Sequence, residues 1–226
     1  MKLTWLGHAT WLIEAAGGRA ILDPFLDDNP AASMKAAQVE VDTILLSHGH
    51  FDHMADAAAI ANRTSATVVA NYEIATWIAK TAGVKNVVGM NLGGSTSVSI
   101  GTLKMVPAWH SSQLPDGTYG GAPAGFILTS EGKRIYFACD TALFSDMQLF
   151  THGGLDVAVL PIGDFYTMGI DDSVLAAKLL GARMVLPTHH GTWPPITVDT
   201  DEWGAAIHRD TSSKAIVLKP GEAIEI

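Results

Sequence analysis

A four-layer αββα sandwich, two β-sheets packed together with helices outside, is the α/β architecture this sequence predicts. Three observations predict it. Short strand-like runs and helical runs alternate in two rounds, strands then helices and again strands then helices. Hydrophobic residues make up 48% of the 226 positions and charged ones 16%, a balance that suits covered sheets and excludes disorder. Finally, residues able to bind metal recur just past the ends of strand-like runs, where an α/β fold commonly builds its site. The length suits one domain, residues 1–226, and no composition shift, linker or short-period repeat divides it.

The elements follow in order. Leu3–Leu6, Trp11–Glu14 and Ala20–Leu22 read as an antiparallel meander with a turn at Gly17-Gly18, and Asp23-Pro24 stops the third run. Thr43–Leu46 is apolar enough for a buried strand. A helix to about Arg63, a strand at Thr67–Ala70, a helix from Ile74 to Thr81 and a strand at Asn86–Val88 complete the first round. The second begins with strands at Ser97–Ile100, Leu103–Val106, Gly125–Leu128 and Arg134–Phe137, broken by Gly101 and by Glu131-Gly132-Lys133. A helix near Ser145–Phe150, a strand at Val157–Leu160, a helix at Asp172–Leu180, a strand at Met184–Leu186, a helix at Asp201–His208 and a strand at Ala215–Leu218 close the chain.

Composition limits function. No apolar run approaches the ~20 residues of a membrane span. The start, Met1 to His8, lacks a signal peptide's long apolar region, so a cytoplasmic location is the default expectation. The single cysteine, Cys139, agrees with a reducing compartment. The net charge is −9, and the 14 basic residues are scattered, so nucleic acid is a poor partner and a small-molecule substrate the expected one. A homo-oligomer is left open.

The most informative segment is Ser47-His48-Gly49-His50-Phe51-Asp52-His53. It sets three imidazoles and one carboxylate directly after a buried strand. Imidazole nitrogens and carboxylate oxygens suit zinc and its neighbours. His48 and His50, two apart in an extended loop, can point the same way and share one ion. Asp52 and His53 fall in the first turn of the next helix, where they can face a second ion and where the helix N-terminus favours the carboxylate. Three later positions also place a ligand type past a strand: His110 after Val106, Asp140 after Phe137, and the pair His189-His190 after Leu186.

With these residues in view the chain resembles a metallo-β-lactamase-fold hydrolase, by His48-Gly49-His50-Phe51-Asp52-His53 and the ordered later residues His110, Asp140 and His189. Further segments, Leu6-Gly7-His8-Ala9-Thr10, Asp140 to Met147, Leu160 to Asp164 and Pro187 to Pro194, resemble a bacterial and archaeal group of metal-dependent hydrolases related to the ascorbate phosphate lactonase. The resemblance runs through nearly the whole chain. It implies two divalent ions, zinc first and manganese, nickel or iron as alternatives. It also implies His48, His50 and His110 on one ion, Asp52, His53 and His189 on the other, and Asp140 as the bridge. Cys139 stands where glycine is usual and His190 where tyrosine is usual. Cys139 reads as a buried filler ahead of a ligand, and His189 as the coordinating residue ahead of His190. His8 is expected at the cleft without coordinating, binding substrate or stabilising an oxyanion. His152 and His208 read as surface residues, and Trp109 and Trp193 as pocket walls or core.

Such a site implies hydrolysis. Two cations lower the pKa of a water between them enough to supply hydroxide at neutral pH, and Asp52 would orient it and take its proton. No Gly-x-Ser-x-Gly elbow is present, in keeping with a mechanism that needs no protein nucleophile. The substrate expected is a small ester or lactone, phosphorylated or not, with a phosphodiester as the close rival. Iron-dependent redox chemistry and a non-catalytic metal-binding module are the more distant alternatives. Asp164 or Thr188 is expected to orient the imidazoles from behind, and Ser111–Ala124 to form a mobile loop at the cleft.

Overall fold

The computed structural model describes residues 1–150 and 152–226 in full and Thr151 by its backbone. Strands Lys2–Gly7 (β1), Thr10–Ala15 (β2), Gly18–Leu22 (β3), Thr43–Leu45 (β4), Thr67–Asn71 (β5) and Val87–Met90 (β6) lie side by side in one sheet, with Ala223–Glu225 (β14) added outside β1. Strands Ser95–Val98 (β7), Gly101–Pro107 (β8), Ala124–Ser130 (β9), Lys133–Phe137 (β10), Val157–Pro161 (β11), Met184–Thr188 (β12) and Lys214–Ala215 (β13) form the other, also in chain order. Across each sheet the first four strands pair antiparallel and the rest parallel: β14-β1-β2-β3 then β4-β5-β6, and β7-β8-β9-β10 then β11-β12-β13.

Period-two alternation explains the layering. Leu3, Trp5, Trp11, Ile13, Leu45 and Val69 of the first sheet meet Leu103, Met105, Phe126, Leu128, Phe137 and Val159 of the second in a buried central core. The residues between them face outward. Ile21, Ile44 and Val68 pack under the helices Ala57–Thr64 (α2) and Tyr72–Ala82 (α3), through Ile60, Ile74 and Ile78. On the far side Tyr136, Ala158 and Val185 pack under Ile170–Leu180 (α4) and Thr200–Asp210 (α5), through Val174, Leu180, Trp203 and Ile207. Two sheets between two layers of helix form the predicted four-layer sandwich. Among the described residues no helix is long and apolar enough to cross a membrane.

Three local features refine the sequence reading. The helix expected near Ser145–Phe150 is present as a 3-10 helix, Ser145–Thr151. Arg134 draws the carbonyls of Phe150, His152 and Gly154 onto its guanidinium, and those contacts compete with a regular α-helical end. The strand predicted at Ala215–Leu218 pairs only over Lys214–Ala215, before Pro220 and a turn at Gly221. The short edge strand β14 was not predicted, because its three residues carry no strong alternation and it pairs with β1 from the other end of the chain.

A candidate metal centre at the strand ends

The site stands where β1, β3, β4, β8, β10 and β12 end. β4 is buried throughout and runs into Ser47 and the ligand loop, while the four-residue helix Phe51–Met54 (α1) carries Asp52 and His53 in its first turn with His50 as its cap. Gly49 has a steric reason: a Cβ there would lie 3.1 Å from the Gln113 carbonyl oxygen. Its N–H also donates to Ser112 Oγ at 3.0 Å, which fixes the ligand loop to the segment across the cleft.

Asp140 is the point of convergence. Its Oδ2 lies 3.1 Å from His189 Nε2, 3.3 Å from His53 Nε2, 3.6 Å from His110 Nε2 and 4.0 Å from His48 Nε2. His48 Nε2 is also 2.9 Å from His50 Nδ1, and Asp52 Oδ2 is 3.7 Å from His53 Nε2 and 3.9 Å from His189 Nε2. Donor atoms of His48, His50 and His110 fall within 4.8 Å of one another, and so do those of His8, Asp52, His53 and His189.

Behind this cluster stands Asp23, fully buried at the end of β3. It accepts from the Ser47 N–H at 2.8 Å and the Ser47 hydroxyl at 2.6 Å, and its Oδ2 lies 2.9 Å from His53 Nδ1. The hydroxyl, its own proton spent on Asp23, accepts from His48 Nδ1 at 3.0 Å. Both Nδ1 atoms are thus engaged behind the cluster, which turns both Nε2 atoms toward it, the orientation metal ligation requires.

The electrostatics favour a cation. Burial raises the Asp140 carboxyl, but His189 and His53 outweigh it and hold the group well below its ordinary value. Burial likewise pushes the His53 imidazole down, and Asp140, Asp52 and Asp23 together raise it well above its ordinary value instead. His53 Nε2 and Asp140 Oδ1 are nonetheless buried without a hydrogen-bond partner. An unsatisfied buried polar atom costs about 1–3 kcal/mol, and a divalent ion held among these nitrogen and carboxylate donors would offset such a cost. The donor set fits such ions.

Residues 18–190 match the beta-lactamase superfamily domain. The chain belongs to that superfamily. Over its whole length it is 45% identical to a metal-dependent hydrolase of Thermus thermophilus, covering 99% of that protein. It is 43% identical to a metal-dependent hydrolase of Pelotomaculum thermopropionicum, with both chains covered completely. The solved structure of a metallo hydrolase from the archaeon Ignicoccus hospitalis aligns with a TM-score of 0.87 at 33% identity, over 99% of this chain and 97% of that one. This protein is a metal-dependent hydrolase of the superfamily.

The seven residues expected as ligands lie together in this cluster, and the neighbouring histidines His189 and His190 face different ways. His189 Nε2 faces Asp140, whereas the His190 ring stacks on Trp5 at 4.9 Å. Cys139 packs in the central core and belongs to none of the donor groups; burial, with Asp23 and Asp140 nearby, pushes its thiol well up. Its φ of 56° explains why glycine is usual there. His8, expected at the cleft, has no exposed surface; its Nδ1 is 2.8 Å from Thr192 Oγ1 and its Nε2 3.0 Å from Asp52 Oδ2.

The outer partners are corrected as well. Thr188 bonds the His8 carbonyl and Trp11, and Asp164 is exposed, so neither supports an imidazole. Asp23, Ser47 and Thr192 are the supports that sequence reasoning missed; an aspartate closing a strand beside the ligand strand was the available signal. The cleft above the cluster has a volume of about 690 Å³. Trp193 lines it, while Trp109 is 68% exposed and turned toward Phe144. The segment Ser111–Ala124 reaches the cleft but is tied down, since Asn71 donates to the carbonyls of Gly120 and Ala122 and Asp116 accepts from Trp77 at 2.7 Å. His152 and His208 are exposed.

Proposed function

We propose that this chain hydrolyses a small ester or lactone with the help of two divalent cations, zinc first. His48, His50 and His110 would hold one and Asp52, His53 and His189 the other, with Asp140 between. The observation behind this reading is the single oxygen Asp140 Oδ2, which stands within 4.0 Å of four imidazole nitrogens contributed by both ligand sets. Bound cations supply Lewis acidity and water that ionises near neutral pH.

The chain's own residues supply the rest. Burial raises the Asp52 carboxyl, but His53 and His8 outweigh it and keep the group ionised. It lines the cleft, so it can accept a proton from an entering water at its carboxylate. His8, held by Thr192, fixes the direction of that carboxylate through Oδ2.

The test is metal analysis of protein prepared without added metal, followed by rates on lactones and on bis-p-nitrophenyl phosphate for the native protein and Asp52→Ala. About two equivalents of metal and lactone turnover lost in the variant are expected. Equal rates in the two proteins, or iron absorbance without hydrolysis, would remove the reading. Faster turnover of the phosphodiester would move it to phosphodiester cleavage.

A further inference from the structure

We infer that the part of the substrate away from the scissile bond is uncharged and apolar, and that lactones carrying a phosphate there are poor substrates. The inference rests on the ester reading above and narrows it.

The cleft floor is the cluster itself, with Asp52, Asp140 and three of the imidazoles. Its walls are built differently. On one side Phe51 and Trp193 stand with ring centroids 6.2 Å apart, backed by the buried Phe25 at 5.7 and 5.9 Å. Tyr166 adds a further aromatic edge, half exposed and open to a ligand. Leu114 and Pro115 face them from the tied-down segment, where the polar contributions are the neutral Ser111 and Gln113.

Among the described residues that line the cleft there is no lysine and no arginine. A phosphate monoester carries about −1.5 to −2 charge near pH 7 and is normally met by an arginine, a lysine or a ring of N–H donors. Placed against these walls it would lose hydration and gain no ion partner. The protein's net charge of −9 also opposes the approach of a dianion. An alkyl chain or flat ring would displace water from carbon on both sides, and the cleft volume of about 690 Å³ lies within the range of small-ligand pockets.

The experiment compares three six-membered lactones on the metal-loaded protein: δ-valerolactone, δ-decalactone with its alkyl tail, and 6-phosphoglucono-δ-lactone. Each kcat/KM is divided by the lactone's own hydroxide-catalysed rate. The decalactone should exceed valerolactone by about tenfold or more and the phosphorylated lactone should fall below it by about tenfold. Trp193→Ala should bring the first ratio toward one, and Gln113→Lys should raise the third substrate relative to valerolactone. Quenching of tryptophan fluorescence by the hydrolysis-resistant lactam of the decalactone gives a readout independent of turnover; saturable binding, weakened by Trp193→Ala, is expected. A phosphorylated lactone used as well as the alkyl one would overturn this inference and leave the ester reading standing. No turnover of any of the three would sink both.

Discussion

The two halves of the molecule repeat one plan and use it for different ends. Each sheet sets four antiparallel-paired strands beside three parallel ones, and two equivalent pairs of strands are followed by the same residue types. β1 is followed by His8 and β8 by His110; β3 is followed by Asp23 and β10 by Asp140. In the second half these side chains meet at the cleft, His110 Nε2 lying 3.6 Å from Asp140 Oδ2. In the first half they lie one layer behind it. His8 and Asp23 are fully buried and bond to residues of the cluster, Asp52 and His53. His53 is as buried as His8 and Asp23, so what separates the two groups is the partner each faces: His53, His110 and His189 face Asp140, whereas His8 and Asp23 face Asp52 and His53.

Substituting the equivalent aspartates breaks the comparison most sharply. Asp140→Ala removes the one oxygen common to both ligand sets, so activity should fall by well over the ~10–100-fold typical of an outer partner, and metal content should drop with it. Asp23→Ala should stay near that ~10–100-fold range in metal affinity. It should also lower stability, because the Ser47 N–H and His53 Nδ1–H are left buried without an acceptor at about 1–3 kcal/mol each. Metal analysis and chemical denaturation of the two variants decide it; equal loss of metal in both would erase the distinction between cleft and layer behind.

The histidine pair gives a smaller effect. His8→Asn should reduce kcat by about tenfold with metal content unchanged, and Thr192→Val by less, since each only loosens Asp52. The pH profile distinguishes this from acid–base catalysis by His8. Burial, and then the neighbouring His189, push the His8 pKa down from 6.5 to about 4. A lowered histidine pKa favours the neutral ring, so the His8 ring does not change its protonation state across neutral pH. The loss in His8→Asn should therefore be the same factor across neutral pH. A loss confined to one limb of the profile would restore a proton-transfer role.

This contrast also marks what the sequence disclosed. The cluster was legible because its histidines and aspartates are closely spaced just past strands, as in Ser47 to His53. The layers were legible because alternation within each strand is strong. Asp23 was hidden because an aspartate before proline reads as a strand stop, and only the register of β3 against β4, Leu22 beside Leu45, brings it under Ser47. The depth of His8 was hidden for a similar reason. A glycine-histidine pair after a strand carries no record of which side of Asp52 the ring will occupy, and the contact with Thr192 spans 184 positions.

The smallest effect tests Cys139, one of the two places where the second half departs from the usual residue. Cys139 adopts φ 56°, a conformation that costs a non-glycine residue about 1–2 kcal/mol. Its side chain is buried in the central core, and that packing offsets the strain by roughly 1 kcal/mol. The two contributions are close to equal, so Cys139→Gly should change stability by no more than about 1 kcal/mol and leave metal content and rate intact. If the thiol were a ligand instead, the same substitution would release metal, and the separation drawn here between the cluster and the core beneath it would have to move by one residue.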